Sequence, residues 1–280
     1  MDTLEAIRID LADYEYAGEG ANGVSYNHRY DPGIMLKLYR PGMVQQPLDE
    51  MCIARKVFEA GIPTPEPGDY VTDGTRFGVR FRRIQGKVSY ARAVGDHPEN
   101  VVRYAEEFAL MCRGLHATHV DTSAFECVKD RYARQLEENP FFTPDEKDRL
   151  LRFIQDAPDT DTAIHGDLQF GNAIFAGDER YFIDLGDFCY GYPLFDVGMV
   201  YCTAFLSEPV FVREAFHMEP KTAVRFWQAF APVYFGTDRP LRDIEAVVRP
   251  FAGLKTIIVE RDMGRPMPTL REALKPILQA

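Results

Sequence analysis

Apolar residues recur along the chain with two spacings, one typical of strands and one typical of helices. Residues 24–26 and 34–39 are β-prone runs on either side of an Asp-Pro-Gly turn at 31–33, which predicts a β-hairpin. Alternation along the second run places Lys37 on one face and the apolar residues on the opposite face, namely Ile34, Leu36 and Leu38. The Lys37 side chain is therefore expected to point away from the core.

Helical spacing dominates elsewhere. Residues 48–60 stop at Gly61 before two prolines, so they predict a helix with Glu50 in its first turn. Residues 98–119 carry one apolar stripe, made of Val101, Ala105, Phe108, Cys112 and Leu115. A Thr-Pro-Asp-Glu sequence at 143–146 predicts a capping box with proline at the first helical position. The same criteria predict helices at 197–205, 221–235 and 241–262, and small strands at 163–164, 173–175 and 181–183.

The composition indicates a globular chain without a membrane segment. With 280 residues, of which 46% are hydrophobic, the chain can bury a large core. It has no long apolar run, and its start lacks a basic region and an apolar signal core, so no transmembrane helix and no signal peptide are expected. The five cysteines are unevenly spaced in mainly apolar surroundings, which favours reduced thiols in a cytoplasmic protein.

The net charge of -11 is concentrated in one segment. Residues 1–95 hold 13 acidic and 12 basic side chains, residues 96–199 hold 21 and 9, and residues 200–280 hold 9 and 11. Such a chain is not expected to bind nucleic acid. The acidic middle segment favours a cationic small-molecule partner, although solvated helix surfaces explain its charge equally well.

The most distinctive motif lies in this acidic segment. Residues 165–172 have the sequence His-Gly-Asp-Leu-Gln-Phe-Gly-Asn, and Ile-Asp-Leu-Gly-Asp follows at 183–187. The short strands predicted around them place Asp167, Asn172 and Asp184 on loop ends, which we expect to face one cleft. Phosphoryl transfer requires a carboxylate that orients a hydroxyl group and hard oxygen ligands for metal ions. We therefore interpret these residues as a phosphoryl-transfer site.

Two simpler explanations of the motif stay open. A Gly-Asp pair can form an ordinary turn, and a histidine with an aspartate can bind a structural metal. No cysteine lies nearby at zinc spacing. At average composition, His-Gly-Asp with an asparagine five residues past the aspartate is expected by chance in on the order of one chain in a thousand of this length.

With these motifs the chain resembles the aminoglycoside phosphotransferase and choline kinase superfamily, small-molecule kinases that share the two-lobed protein-kinase fold. The elements occur in the order that this fold requires: a glycine-rich segment at 18–23, a strand with Lys37, a helix with Glu50, a linker strand, the catalytic loop and the metal loop. The resemblance implies an α+β fold. Its small β-rich amino-terminal lobe comprises residues 1–87, and its larger, mainly helical carboxy-terminal lobe comprises residues 88–280.

The resemblance also implies a nucleotide site in the amino-terminal lobe. The glycine-rich segment lacks the Gly-Lys-Ser/Thr of a Walker loop, and its backbone at Gly20, Asn22 and Gly23 is expected to approach phosphate groups. Glu50 is expected to pair with Lys37 and to hold the ammonium toward the phosphates. A carboxylate in a first helical turn also fits a simple contact with the helix dipole.

Residues 78–87 resemble the strand and linker between the lobes. The resemblance implies that the backbone near Phe81, Arg82 and Ile84 meets the adenine edge. A run of arginines is unusual here, because this family often has an acidic residue in the linker. Either the linker has a different register or the arginines point to solvent. ATP is the expected nucleotide, and GTP stays open because of this linker.

For the catalytic loop, the resemblance implies that Asp167 orients the acceptor hydroxyl and takes its proton, and that Asn172 and Asp184 hold Mg2+. His165 is expected to fix the loop by hydrogen bonds to the backbone or to Asp184. Asp196 either caps the helix that follows it or, as the resemblance implies, braces the catalytic loop by hydrogen bonds.

Departures from the family pattern bear on the acceptor. Gln169 and Phe170 stand where many relatives have His-Pro, and we expect them to contact the acceptor. Asp187 is expected to support a second metal or to bind a cationic acceptor. His116 and His119 lie one turn apart, but a helix that faces the core explains them better than metal binding does.

The sequence therefore predicts an ATP- and Mg2+-dependent kinase of a small molecule. Its acceptor stays open among aminoglycosides, choline and other amino alcohols, sugars and thiamine-like compounds. A protein kinase is less consistent, since Asp184 lies only 12 residues before Asp196 and His-Gly-Asp replaces His-Arg-Asp. A catalytically silent nucleotide-binding protein on the same fold is the alternative, although every expected polar group is present. The oligomeric state does not follow from the sequence.

Overall fold

The computed structural model describes residues 5–20, 22–236 and 239–279. Ala21 of the glycine-rich segment and residues 1–4, which entered the signal-peptide argument, lie outside the described residues. The strands are β1 (Ile7–Arg8), β2 (Tyr14–Glu19), β3 (Gly23–His28), β4 (Ile34–Tyr39), β5 (Pro67–Thr72), β6 (Phe77–Arg82), β7 (Val88–Ser89), β8 (Ala163–Ile164), β9 (Ala173–Ala176), β10 (Glu179–Phe182) and β11 (Cys189–Tyr190).

Helices make up most of the later part of the chain. They are α1 (Gln45–Glu59), α2 (Tyr90–Asp96), α3 (Val101–Leu115), α4 (Val128–Glu138), α5 (Pro144–Asp156), α6 (Leu194–Phe205), α7 (Pro209–Phe216), α8 (Pro220–Phe235), α9 (Leu241–Gly253), α10 (Lys255–Met263) and α11 (Pro268–Leu278). Two compact units result. The first contains the described residues up to Lys87 together with Ile174–Gly186, and the second contains Val88–Ala173 and the described residues from Asp187 onward.

A mixed sheet of six strands forms the body of the first unit. Its strand order is β1-β5-β6-β4-β3-β2, with β1 parallel to β5 and the other neighbours antiparallel. The predicted hairpin is confirmed as β3 and β4, with Ser25 opposite Lys37. Leu36 and Leu38 are fully buried in a core cluster, and Ile34 packs against it as predicted. Lys37 alternates to the other face of the strand.

Helix α1 begins at Gln45, three residues before the predicted start. The apolar pattern misses this turn because it contains two glutamines and Pro47, which is tolerated so close to a helix start. The first turn holds no acidic residue, so the expectation of Glu50 in that turn is wrong. A helix-dipole contact for Glu50 is therefore disfavoured, since that effect fades beyond the first turn.

A second chain segment completes the first unit. Ile174–Gly186 groups with it, although the family resemblance led us to expect these residues in the carboxy-terminal lobe at 88–280. Within this segment β10 neighbours β9, as the short apolar runs predict. The N–H of Phe182 donates to the carbonyl of Pro63 at 2.8 Å, just beyond the end of α1. The segment therefore brings Asp184, two residues after β10, into the first unit.

The second unit is mainly helical. The predicted stripe on α3 is confirmed, since all five of its residues are buried. The helix ends at Leu115, so His119 lies outside it, is exposed and pairs with Asp161 at 2.6 Å. A helix that faces the core therefore accounts for His116 but not for His119. The capping box at Thr143 is confirmed with both of its reciprocal hydrogen bonds to Glu146.

The helix predicted at 241–262 is two helices. α9 ends at Gly253 and α10 begins at Lys255, with Leu254 between them. The N–H of Leu254 is shared by the carbonyls of Pro250 and Phe251, which tightens the chain at this point. Apolar periodicity continues across the break, which explains why the pattern does not detect it.

The cysteines and the apolar helices agree with the composition. All five cysteines are free thiols in the structure, and Cys112, Cys189 and Cys202 are buried. In the described part of the chain, no single helix is long and apolar enough to cross a membrane. The pair α6 and α7, bent by 114°, meets the length and composition test only when the two are taken together.

Candidate functional site

Charged side chains of the first unit meet beside β4. Lys37 Nζ lies 2.8 Å and 2.9 Å from the two carboxylate oxygens of Glu50 on α1, and 2.7 Å from Asp184 Oδ1. Tyr39, also on β4, donates its hydroxyl to Glu50 Oε2. Glu50 is only 5% exposed, so these partners are what compensates its buried charge. Sequence reasoning missed Tyr39, whose only signal is its position two residues from Lys37 on the same strand.

These ion pairs keep Lys37 charged. Burial by itself lowers the pKa of Lys37, but the carboxylates of Glu50 and Asp184 outweigh it, and the pKa is raised above the ordinary value of 10.5. The structure thus places together the three first-unit residues that the sequence predicts for phosphate and metal binding. An ammonium held in this way can bind a phosphate group as a point charge.

Asp184 has a backbone conformation that aspartate rarely adopts. Its φ is 62°, and among the described residues only His217 is another non-glycine with positive φ. This left-handed conformation costs roughly 1–2 kcal/mol for a residue with a Cβ atom. Backbone strain of this kind clusters at functional sites. The Asp184 side chain is 45% exposed, so its carboxylate is also open to a ligand.

The glycine-rich segment contains the end of β2, Gly20, Asn22 and the start of β3. The N–H of Gly20 donates to the Gly23 carbonyl at 2.9 Å, and the Asn22 carbonyl accepts from Arg40 at 3.1 Å. A Cβ atom on Gly23 would overlap the carbonyl oxygen of Leu38, whereas one on Gly20 would have room. Gly23 is therefore required by the packing of β3 on β4. Phosphate binding by Gly20, Asn22 and Gly23 stays a prediction.

The linker residues divide into bonded and open backbone groups. Phe81 and Arg82 end β6. The N–H of Arg82 donates to Glu66 and that of Arg83 donates to Gly33. No partner is found for the N–H of Ile84 among the described residues, so this amide is open to adenine. The Arg82 side chain is exposed, which fits the interpretation that it points to solvent, whereas Arg80 donates to Tyr14 and Asp69.

The catalytic loop of the second unit runs from β8 to β9. Asp167 Oδ2 accepts hydrogen bonds from Asn172 Nδ2 at 2.9 Å and from Gln169 Nε2 at 3.1 Å. Asn172 Nδ2 also donates to the Asp167 carbonyl at 2.9 Å. In the described part of the chain nothing donates to Asp167 Oδ1. The carboxylate is therefore oriented through one oxygen and open at the other.

Asp196 holds this loop from α6. Its carboxylate accepts from the N–H of His165 at 2.7 Å and from the N–H of Gly166 at 2.9 Å. His116 Nε2 lies 3.1 Å from the same carboxylate, and its other ring nitrogen lies 2.6 Å from the Tyr234 hydroxyl. Helix α6 has Pro193 at its N-cap and no side-chain cap, so Asp196 is not a cap. Of the two expectations for Asp196, the structure has the hydrogen bonds that brace the loop and lacks the helix cap.

The charge of Asp196 survives complete burial. Burial by itself raises the pKa of Asp196, but the hydrogen bond and charge of His116 and the contacts with His165 outweigh it, and the pKa is lowered. His165 is itself fully buried. The backbone nitrogen of Asp167 lies 3.4 Å from His165 Nδ1, so the His165 side chain contacts the backbone of the loop.

Gly166 occupies a confined position between His165 and Asp167. Its φ is 84°, and a Cβ atom here would overlap the carbonyl oxygen of Asp187. Arg131 on α4 donates to that same carbonyl, and Lys255 on α10 donates to the Gly166 carbonyl at 3.0 Å. Sequence reasoning missed both cations. Their signal is weak: each is a basic residue buried in a helix, and Lys255 interrupts an otherwise apolar run.

Two residues predicted on the acceptor side have other surroundings. Phe170 is fully buried and packs against Phe108, Phe216 and Phe226, so the expectation that it contacts the acceptor is wrong. Asp187 is 63% exposed and lies 3.8 Å from Arg131. A cationic acceptor at Asp187 would therefore share the carboxylate with a guanidinium. Gln169 donates to the Asp167 carboxylate at 3.1 Å.

The side-chain oxygens of Asn172 and Asp184 are of the kind that Mg2+ binds. Among the described residues, no three His, Cys, Asp or Glu side chains come together as a metal-binding group. Asn172 donates through its nitrogen, which leaves its side-chain oxygen for a cation, and the Asp184 carboxylate is partly exposed. Mg2+ usually takes one or two protein oxygens and completes its shell with phosphates and water. Each of these two side chains, within its own unit, therefore has an oxygen that suits a metal arriving with a nucleotide.

Sequence comparison identifies the family. The model of the phosphotransferase enzyme family APH matches residues 18–233. This chain belongs to that family. The matched range includes every residue of the site described above except Tyr234 and Lys255, and it confirms the resemblance seen in the motifs. A search of curated proteins finds no significant match.

Solved structures of phosphotransferases share the fold of this family member. A choline/ethanolamine kinase family protein from Mesorhizobium loti has a TM-score of 0.55 at 16% identity over 95% of this chain and 85% of its own. A thermostable mutant of aminoglycoside phosphotransferase APH(4)-Ia, in ternary complex with ADP and hygromycin B, has a TM-score of 0.63 at 15% identity over 96% and 94%. ADP-bound APH(2'')-Ib has a TM-score of 0.58 at 15% identity over 95% and 92%. The predicted α+β, protein-kinase-like fold is confirmed.

Proposed function

We propose that this phosphotransferase transfers the γ-phosphoryl group of ATP to a hydroxyl group of a small molecule. The observation that carries the proposal is the state of Asp167, whose carboxylate is held by Asn172 and Gln169 through one oxygen and is open at the other. A carboxylate in that state can orient a hydroxyl group and take its proton late in the transfer. Membership of the phosphotransferase family supports the proposal that residues of both units serve one reaction.

Each unit contributes a different part of the chemistry. In the first unit, Lys37 and the turn at 18–23 bind the phosphates, and the linker near Ile84 binds the base. Asn172 and Asp184 would hold Mg2+, which when bound neutralises charge on the phosphates. In the second unit, Asp196 and His165 hold the catalytic loop while Asp167 binds the acceptor hydroxyl. These roles rest on the hydrogen bonds and ion pairs of each unit taken separately.

The acceptor is proposed to be a hydroxylated small molecule of the aminoglycoside, amino-alcohol or sugar type. One structural neighbour was solved with hygromycin B and another belongs to the choline/ethanolamine kinases. A protein acceptor is disfavoured, since the chain between Asp184 and Asp196 holds only a short helical turn, β11 and the start of α6. This leaves no room for a long activation segment.

ADP formation from Mg-ATP against a panel of hydroxylated small molecules tests the proposal, with Asp167→Asn as the background. Acceptor-dependent turnover that Asp167→Asn abolishes is the expected result, and parallel reactions with GTP decide the nucleotide. A melting temperature that Mg-ATP raises, without turnover on any acceptor, would favour the catalytically silent alternative. Neither turnover nor nucleotide binding would overturn the proposal.

A further inference from the structure

Lys255 is a buried cation beside the catalytic loop, outside the segment that matches the family. It begins α10, is 5% exposed and donates to the Gly166 carbonyl at 3.0 Å. An ammonium group buried in this way destabilises the fold unless charges or hydrogen bonds compensate it. The groups that contact Lys255 therefore show how its buried charge is compensated.

The contact with Gly166 acts directly on the position of Asp167. The carbonyl of Gly166 and the N–H of Asp167 belong to one peptide group, and this N–H lies 3.4 Å from His165 Nδ1. The preceding peptide group is held by Asp196, which accepts from the Gly166 N–H at 2.9 Å. Because a peptide group is planar, binding its oxygen restricts the dihedrals on either side of it. Lys255 thus limits rotation of the backbone that carries the Asp167 side chain.

The surrounding charges keep Lys255 protonated. Burial by itself lowers the pKa of Lys255, but Tyr132 and the carboxylates of Asp167, Asp196 and Asp187 outweigh it, and the pKa is raised. Other charged groups are engaged elsewhere. Arg131 binds Glu126 and Asp187, and His116 binds Asp196. Lys255 is therefore available to the loop as a permanent ammonium.

We infer that Lys255 is a positioning residue for phosphoryl transfer. Through the Gly166 carbonyl, it holds Asp167 in the orientation that presents the open carboxylate oxygen to the acceptor hydroxyl. The inference rests on the proposed function for its chemistry and on the Gly166 contact for its geometry. Lys255 is not assigned a contact with substrate, so its loss should slow turnover and leave nucleotide binding intact.

Lys255→Met tests this, because methionine fills a similar volume without a charge. The matched control is Lys275→Met on α11, where the lysine is 53% exposed and pairs only with Glu272. For Lys255→Met we expect kcat to fall about 10- to 100-fold, the effect of a small misplacement of a reacting group. The KM for ATP is expected to stay within about twofold of the wild-type value, because Lys255 is not assigned a contact with the nucleotide. Lys275→Met should match the wild type.

A double-mutant cycle separates positioning from general destabilisation. In an Asp167→Asn background, Lys255→Met should cause no further loss, because the group that it positions is already disabled. Loss by the same factor in both backgrounds would overturn the inference. The inference would also be overturned if turnover fell only in proportion to the fraction of protein that still binds Mg-ADP, since unfolding alone would then explain the loss.

Amide hydrogen exchange provides a readout that needs neither nucleotide nor acceptor. Lys255→Met should speed exchange across residues 165–172 and leave the protection of α3 and α8 unchanged. If exchange in residues 165–172 of Lys255→Met were unchanged, or if exchange were faster throughout the chain, the inference that Lys255 positions the loop would be contradicted. A wild-type chain that neither binds Mg-ATP nor turns over any acceptor would instead refute the proposed function, and with it the catalytic meaning of Lys255, whatever the exchange shows.

Discussion

Asn172 Nδ2 donates to Asp167 Oδ2 at 2.9 Å, so the asparagine binds this carboxylate through its nitrogen and keeps its oxygen for another partner. One side chain thereby orients Asp167 and remains able to contact a metal. The five-residue spacing in the motif follows from this contact, because the chain turns back through the hydrogen bond from the Asn172 N–H to the Gln169 carbonyl.

The first prediction concerns Asp167→Asn. An amide cannot take the acceptor proton, so kcat should fall by about 10²- to 10⁴-fold, the usual contribution of general acid-base catalysis. The affinity for Mg-ADP, measured by calorimetry, should change by less than about twofold. Asp178→Asn, at an exposed aspartate in the turn between β9 and β10, is the matched control. Wild-type kcat in Asp167→Asn would remove Asp167 from its proposed role.

Lys37→Met should affect both stability and nucleotide binding. It removes the ammonium that binds both carboxylate oxygens of the buried Glu50, and removing one partner of a buried ion pair costs about 3 kcal/mol or more. Chemical denaturation measures this loss. Adding Glu50→Gln should restore part of the free energy of unfolding, because the buried carboxylate that Lys37 compensated is then neutral. Binding of Mg-ATP should stay weak in both variants, and additive stability losses would show that the two side chains are not coupled.

Asp196 should make stability depend on pH in acid. Although burial opposes it, the contacts with His116 and His165 lower the folded-state pKa below the ordinary value of 3.8. The resulting stabilisation is complete above that ordinary value and is lost as the pH falls through the folded-state pKa. The free energy of unfolding of Asp196→Asn should therefore fall less steeply than that of the wild type on acidification below about pH 4. Equal slopes would contradict the assignment.

Gly166→Ala should disrupt the catalytic loop. Its φ of 84° disfavours any residue with a Cβ atom, and that atom would overlap the Asp187 carbonyl. We expect a loss of stability of about 2 kcal/mol or more together with a lower kcat per folded molecule. Gly114→Ala in α3, where a Cβ atom meets nothing within 4 Å, is the control and should stabilise the fold by about 0.5–1 kcal/mol. Similar effects of both substitutions would show that Gly166 is not confined.

The sequence predicted the parts of the site that depend on local pattern. Alternation around Lys37 and the spacing from Asp167 to Asn172 are short-range signals, and the structure places those side chains accordingly. Phe170 was misjudged because its neighbours in the motif are polar, whereas the aromatic residues that bury it come from α3, α7 and α8. Lys255 and Arg131 were missed for a related reason. Their value to the loop arises only from contacts between residues far apart in sequence.

The discontinuity of the first unit has a consequence for its synthesis. The whole six-stranded sheet is encoded by the residues up to Lys87, but β10 and Asp184 emerge from the ribosome only after Val88–Ala173 has been made. At usual translation rates, this delay is on the order of ten seconds. During that interval Lys37 lacks the Asp184 carboxylate and the carbonyl of Pro63 lacks the Phe182 amide. The first part of the chain to be translated therefore cannot complete its unit until residues 88–186 have also been made.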